Sequence, residues 1–222
     1  MSRVYLSEKA DGRIFDYFRS QGHTVCPVNG GDAVYAAVAC HPDVYYCGDA
    51  DGAVFHGDKS LLGRDYPENV RYNAVLLDKY FIHNLRYTDE KLLEYAVKTG
   101  RTPVSVRQGY TKCSTVVVSG NAVITADKGI IKALKNLPAL DALEIEGGHV
   151  AIEGHDEGFI GGASGRVGDE IVFSGDLSAH PDYEKIIAFI ENHGLRVKYF
   201  PEFPLTDIGT IIEEKGEYYG NC

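Results

Sequence analysis

The sequence predicts an α/β fold made of repeated strand–strand–helix–strand units, and three observations carry that expectation. Hairpin patterns begin near Val44, Ala74, Thr115, Gly158 and Ile208, most of them about 40 residues apart, a spacing that signals a repeat. Three of the hairpins run on into a helical pattern and a further strand. The chain also opens on a helix and strand with no hairpin before them, while the final hairpin has only a short tail after it.

Taken in order, Ser7 is placed to cap a helix over residues 8–21, with Ile14, Phe15 and Phe18 inward and Gly22 at its end. Thr24 to Val28 reads as a strand in which Pro27 implies an edge or an end. A short alanine-rich helix is expected from Asp32 to Ala39, closing before Pro42. Val44–Cys47 and Ala53–Phe55 form a hairpin around Asp51-Gly52. Residues 57–72 are polar and irregular, as a loop is. Ala74 to Ile82 gives a second hairpin, followed by a helix with Leu92, Leu93, Ala96 and Val97 apolar, a stop at Gly100 and a strand at 104–106.

Thr115 to Ile124 is a third hairpin, turning at Gly120-Asn121. Asp127 can cap the helix carrying Ile130, Ile131 and Leu134, and a strand follows at 143–145. The fourth unit pairs strands 158–161 and 170–173. Its helix begins at Pro181, carries Tyr183, Ile186, Ile187 and Ile190, and ends at Gly194 before a strand over 195–200. The fifth hairpin spans Ile208 to Tyr218, turning at Lys215-Gly216. Two arrangements fit this pattern. In one, the ends meet, and the N-terminal helix and strand complete the fifth unit, hiding the sheet edges. The other is an ordinary open α/β or α+β sheet with hairpins.

The chain has 222 residues, 44% of them hydrophobic, which suits one large domain or two small ones with a sizeable core. A net charge of −10 disfavours nucleic acid and anionic membranes as partners and favours a cationic ligand. No apolar run is long enough to span a bilayer. Glu8, Lys9 and Asp11 interrupt any signal-peptide pattern. Five cysteines without framework spacing are expected to be reduced thiols, as in a cytoplasmic protein. Cys40, His41, Asp43 and Cys47 lack the second pair that a zinc site needs. The glycines at 161, 162, 165 and 168 match no phosphate-binding loop and read as turn and bulge residues. No metal or cofactor is expected, and the oligomeric state is not fixed by the sequence.

Five strand–strand–helix–strand units, one of them degenerate and one completed by the N-terminus, resemble the pentein, or guanidino-group-modifying-enzyme, fold, a closed β/α-propeller with pseudo-fivefold symmetry. Two stretches add to this. Glu146-Gly147-Gly148-His149-Val150 is similar to the Glu-Gly-Gly-Asp-Val turn of several such enzymes. Phe159-Ile160-Gly161-Gly162-Ala163-Ser164-Gly165-Arg166 is similar to the strand and Ser-x-Arg turn of the dimethylarginine hydrolases. The chain as a whole looks like a small bacterial branch of that superfamily, a resemblance that implies a single domain over 1–222.

The resemblance implies a hydrolase, deiminase or amidinotransferase acting on a guanidino or related cationic compound. Its ligands would meet the five hairpin starts: His41 and Asp43; Asn73; Lys112, Cys113 and Ser114; His155, Asp156 and Glu157; Thr206 and Asp207. A cysteine thiolate attacks the guanidinium carbon, a histidine moves protons, and carboxylates hold the planar cation. On this reading His155 is the histidine, Glu157 replaces the carboxylate of a His-x-Asp pattern, and Asp43 is a second clamp. The family's nucleophile belongs at the last hairpin, where this chain has Pro204-Leu205-Thr206-Asp207; the thiol at a hairpin start is Cys113, in the third unit. Cys222 is terminal. The expected residues are thus Cys113, His155 and Glu157 for catalysis, and His41, Asp43, Asp156, Thr206 and Asp207 for ligand binding. The same residues also admit plainer roles: Cys113 as a small buried hydrophobe, His155 and Asp207 as caps, and His41-Pro42-Asp43 as a turn. A catalytically inactive binding or protein-interaction domain is the alternative function.

Overall fold

In the computed structural model, which describes residues 2–216, the chain opens with strand β1 (Ser2–Ser7), helix α1 (Gly12–Ser20) and strand β2 (Thr24–Val28). Helical periodicity runs back in the sequence to residue 8, but Asp11 rather than Ser7 caps α1, its carboxylate accepting from the N–H of Arg13. Ser7 instead ends β1, whose Val4 and Leu6 are fully buried. The alanine-rich stretch 32–39 forms turns, not a helix. Its Tyr35 N–H bonds Arg64 O, and burial of Val34, Val38 and Ala39 beside β2 overrides their helical propensity.

Four units follow. The first is a bare hairpin, β3 (Tyr46–Gly48) and β4 (Val54–His56). Next come β5 (Val75–Leu76), β6 (Tyr80–His83), α2 (Glu90–Lys98) and β7 (Thr102–Ser105). The third is β8 (Thr115–Ser119), β9 (Ala122–Thr125), α3 (Lys128–Leu134) and β10 (Asp141–Glu144). The fourth is β11 (Ser164–Val167), β12 (Glu170–Phe173), α4 (Tyr183–Asn192) and β13 (Arg196–Lys198). Strand β14 (Ile212–Lys215) is the last described element.

These strands make five small sheets. In each of the second to fourth units an antiparallel hairpin is extended by a parallel third strand, and a helix supplies the crossover that parallel pairing requires. The fifth sheet, β14-β1-β2, repeats this pattern from segments far apart in sequence: β1 is antiparallel to β14, with Tyr5 opposite Ile212, and parallel to β2. The tail strand thus pairs with β1. Tyr218 and Cys222, which fall in the expected hairpin and tail, lie outside the described residues.

The fourth unit differs from expectation in two places. Its first strand is Ser164–Val167, because residues 158–163 form tight turns, with Ala163 N–H bonding Phe159 O and Gly162 N–H bonding Cys113 O. Helix α4 begins at Tyr183. Asp182 holds the cap position, but its carboxylate accepts from Glu146 N–H and from Lys185, so it joins two segments and does not cap its own helix.

The apolar interior is divided among the sheet junctions. One cluster joins Cys47 of β3 to Leu76 and Phe81 of the second sheet. Another joins Val75 and Ile82 to Val117 and Val123 of the third. A third packs Val116 and Ile124 on Ile171, Phe173 and Ile186 of the fourth unit. A fourth sets Val167 and Val172 against Val4, Leu6 and Phe18. The last carries Tyr5, Cys26 and Ile212 of the fifth sheet to Val44, Tyr45 and Tyr46 of the first. Among the described residues no helix is long and apolar enough to cross a membrane. Cys40, Cys47 and Cys113 are free and buried, whereas Cys26 is disulfide-bonded, which corrects the expectation of reduced thiols throughout.

Candidate functional site

The segments just before the first strands of the hairpins bring their polar residues together. Asp43 sits in the 3-10 turn Pro42–Val44 ahead of β3, and Asn73 lies two residues before β5. Cys113 lies in the turn before β8, and Asp207 and Thr210 lie in the approach to β14. His41, Asp43, Asn73, Cys113, Asp207 and Thr210 are all buried.

Asn73 organises the thiol. Its Oδ1 accepts from the N–H groups of Lys112 (2.8 Å) and Cys113 (3.1 Å), and its Nδ2 donates to Cys113 Sγ at 3.2 Å. The thiol donates to Asp43 Oδ2 at 2.9 Å, and the same oxygen receives the Thr210 hydroxyl at 2.7 Å. Thr210, a β-branched residue, is held at a φ of 33°, an unfavourable backbone region of the kind found where neighbouring structure enforces it.

Asp207 is fixed by backbone donors, Phe159 N–H at 2.9 Å and Gly209 N–H at 3.0 Å. Two glycines make room for this arrangement. A Cβ on Gly162 would lie 2.0 Å from Asp207 Oδ1, and one on Gly209, where φ is +72°, would lie 2.0 Å from His41 Cβ. His41 Nδ1 stands 3.8 Å from Asp207 Oδ1, too far for a hydrogen bond. His41 Nδ1 and Asp43 Oδ1 are both buried without a hydrogen-bond partner, an arrangement that is costly unless a further donor or charge arrives.

Burial pushes the Cys113 thiol well above its ordinary value, and the nearby Asp43 and Asp207 carboxylates add to the rise. Burial likewise raises Asp207, against the pull of His41. Lys112, also buried, is lowered by desolvation, with Asp43 and Cys113 opposing. Like charges gathered out of water favour the neutral forms of acids, which accords with the upward shifts of Cys113 and Asp207.

A cavity of about 220 Å3 opens over this cluster, lined by His41, Cys113 and Asp207 at one end and by Tyr35, Tyr110 and Phe159 along its walls. His155 and Glu157 also line it, but both are exposed, so the imidazole buried beside the thiol is that of His41. Asp156 lies apart, in a shallow depression with Pro204 and Leu205. The Thr206 hydroxyl bonds Pro204 O. The Glu146–His149 turn borders a larger depression of about 470 Å3, which shares Glu157 and Phe159 with the thiol cavity. Tyr35, Tyr110 and Thr210 were not singled out from the sequence: Tyr35 falls in the stretch expected to be a helix, Thr210 in the expected final hairpin, and Tyr110 between the second and third units.

Residues 50–212, well over half of the chain, match the family model DUF6873, a family of unknown function. The chain belongs to the DUF6873 family. No curated protein and no solved structure matches it. The matched region of this DUF6873 protein contains Asn73, Cys113 and Asp207, while His41 and Asp43 lie just before it.

Chemically, the site offers a thiol, an imidazole and two carboxylates. Donor atoms of His41, Cys113 and Asp207 all lie within 4.8 Å of one another, and a thiolate–imidazole–carboxylate set suits a borderline-soft divalent metal. It equally suits nucleophilic attack on a cationic carbon, with sulfur, a proton carrier and counter-charges at hand.

Proposed function

We propose that this protein is a pentein-type enzyme that cleaves a C–N bond of a guanidino or related cationic compound. Cys113 is the nucleophile, His41 carries the proton, and Asp43 and Asp207 hold the cation. The observation that carries this reading is the convergence of Cys113, His41 and Asp207 from three hairpin starts, buried beneath one cavity. The architecture supports it as well. The apolar clusters link each sheet to the next and the fifth back to the first, as a closed five-unit propeller requires.

In this mechanism the guanidinium displaces no charge of its own. It seats against Asp207, with the Asp43 carboxylate behind the thiol adding its negative charge, and favours the ionised forms of Asp207 and Cys113. The thiol proton passes to His41 as sulfur bonds the guanidinium carbon. His41 returns the proton to the departing amine as the C–N bond breaks. Water then adds to the carbon, giving one proton to His41 and, as its oxygen becomes the carbonyl, the other to the freed ammonia. Sulfur leaves as the thiolate and takes back the proton from His41, so that a ureido product and ammonium are released and the thiol is restored. His155 and Glu157 act at the mouth, on the substituent, in place of the central roles the resemblance gave them.

The test is ammonia and ureido-product detection with arginine, agmatine and methylated arginines, native protein against Cys113→Ala. Product that depends on Cys113 is expected. Equal, flat traces from both proteins would sink the catalytic reading. Thermal stabilisation by cations without turnover would then favour a binding protein on the same scaffold; ligand at about 100 times Kd adds roughly 2.7 kcal/mol.

A further inference from the structure

We infer that the compound this site takes carries an apolar or aromatic tail on its cationic head and no carboxylate. The inference rests on the function proposed above and names the substrate class for that site.

The cavity's chemistry changes from floor to mouth. The floor presents Asp207, Cys113 and His41 to a small cation. The walls are Val38, Ile152, Tyr35, Tyr110 and Phe159, and the one carboxylate side chain among the exposed lining residues is Glu157, beside His155. Among the described residues the lining includes no lysine or arginine. A head group seated on the floor must send its substituent out past Glu157, so a carboxylate near that point meets a like charge.

The aromatic walls do not stop at the cavity. Phe159 lies 6.5 Å from Tyr110, Tyr110 lies 5.9 Å from Tyr66, and Tyr66 lies 6.2 Å from Tyr87. All three spacings are those of interacting rings. Tyr66 is 50% exposed, one of the few large hydrophobic residues so placed. On the other wall, the Tyr35 hydroxyl meets that of Tyr110 at 3.3 Å, and its ring lies 6.0 Å from His155. The rings therefore form a track from the buried thiol to solvent. Such a track rewards a flat or extended apolar tail and gives an amino-acid head group near the cavity mouth no counter-charge. The arginine on this track, Arg86, lies beside Tyr87 at its outer end.

The test is calorimetric binding to the Cys113→Ser protein, which separates recognition from turnover, with native protein assayed for ammonia in parallel. The probes are methylguanidine, butylguanidine, phenethylguanidine, agmatine, arginine and arginine amide. Affinity should rise from methyl- to butyl- to phenethylguanidine, and arginine amide should bind about fivefold more tightly than arginine, the effect of one exposed like-charge contact. Glu157→Lys should remove or invert the amide preference. Tyr66→Ala, at an exposed position, should weaken phenethylguanidine by about fivefold and leave methylguanidine unchanged.

Arginine binding as tightly as its amide, or affinity independent of the tail, would overturn the inference whether or not ammonia is released. The predicted order of binding with no ammonia from any probe would uphold the selectivity and remove the catalytic function. Binding of none of the probes would remove both.

Discussion

The thiol of Cys113 donates a hydrogen bond of 2.9 Å to Oδ2 of Asp43, a contact between residues that precede the first strands of two different sheets. The carboxylate opposes ionisation of the sulfur and, with burial and Asp207, keeps the thiol protonated. Asp43 thus opposes formation of the thiolate, an effect that a nearby positive charge would offset.

Replacing Asp43 by Asn should release that restraint. Each unit by which the thiol pKa falls raises the thiolate fraction about tenfold below the pKa. Iodoacetamide should therefore label Cys113 about tenfold faster in the variant near neutral pH, read by mass spectrometry of the Cys113 peptide. An unchanged rate would mean that burial alone governs the sulfur.

Cation binding should release protons. Cys113 and Asp207 both hold their protons more tightly than usual, and an incoming cation favours their charged forms. The observed binding enthalpy should vary with the ionisation enthalpy of the buffer, and affinity should rise with pH through the raised titration of Asp207. Enthalpies that do not change with buffer would contradict this.

The same carboxyl affects stability with a definite sign. Its folded pKa is raised above the ordinary 3.8, so the folded state binds the proton more tightly than the unfolded state does. The resulting stabilisation is full below the unfolded value and is lost as pH rises through the folded value. Asp207→Asn should flatten that decline in denaturant-melt stability across the interval; an unaltered slope would exonerate Asp207.

Gly209→Ala should be costly. A left-handed residue without Cβ is needed where φ is +72°, and a methyl there would collide with His41 Cβ. Backbone strain of about 1–3 kcal/mol, with the overlap added, should appear as a lower denaturation midpoint and as loss of cation binding. A midpoint within error of the native protein would show that the two segments can part freely.

Zinc should compete with organic cations. The His41, Cys113 and Asp207 donors can close on one ion, and a thiolate ligand gives bound Co2+ a charge-transfer absorption band. That band is expected with native protein and not with Cys113→Ser, and Zn2+ should displace guanidinium probes. Identical Co2+ spectra from the two proteins would rule out sulfur ligation.

Much of the scaffold was legible because it rests on local chemistry. Asp127 caps α3 through its own carboxylate, and the continuous apolar runs of β8 and β9, split at Gly120-Asn121, mark a hairpin. The alanines at 36, 37 and 39 misled because their environment, not their propensity, decides their conformation. Residues 158–161 misled for a similar reason: Gly158, Gly161 and Gly162 are there to let backbone approach Asp207 and Cys113, a need that a strand pattern does not reveal. The hairpin starts included His41, Asp43, Asn73, Cys113 and Asp207, but the resemblance gave the central proton-transfer and clamp roles to His155 and Glu157, which are exposed. Which imidazole lies beside the sulfur depended on the path of residues 152–163, and the tyrosines of the cavity depended on the turns at 32–39 and on the segment before β8. No local rule fixes either.

The pairing of Tyr5 with Ile212 also sets an order of events during synthesis. The ribosome completes β1 roughly 10–40 s before it delivers β14, at ordinary elongation rates of about 5–20 residues per second. Throughout that interval the nascent β1–β2 pair has one flank of amides and carbonyls unmatched. A chaperone that shields extended polypeptide, or rapid docking of α1 over Val4 and Leu6, would protect this segment until its last neighbour leaves the exit tunnel.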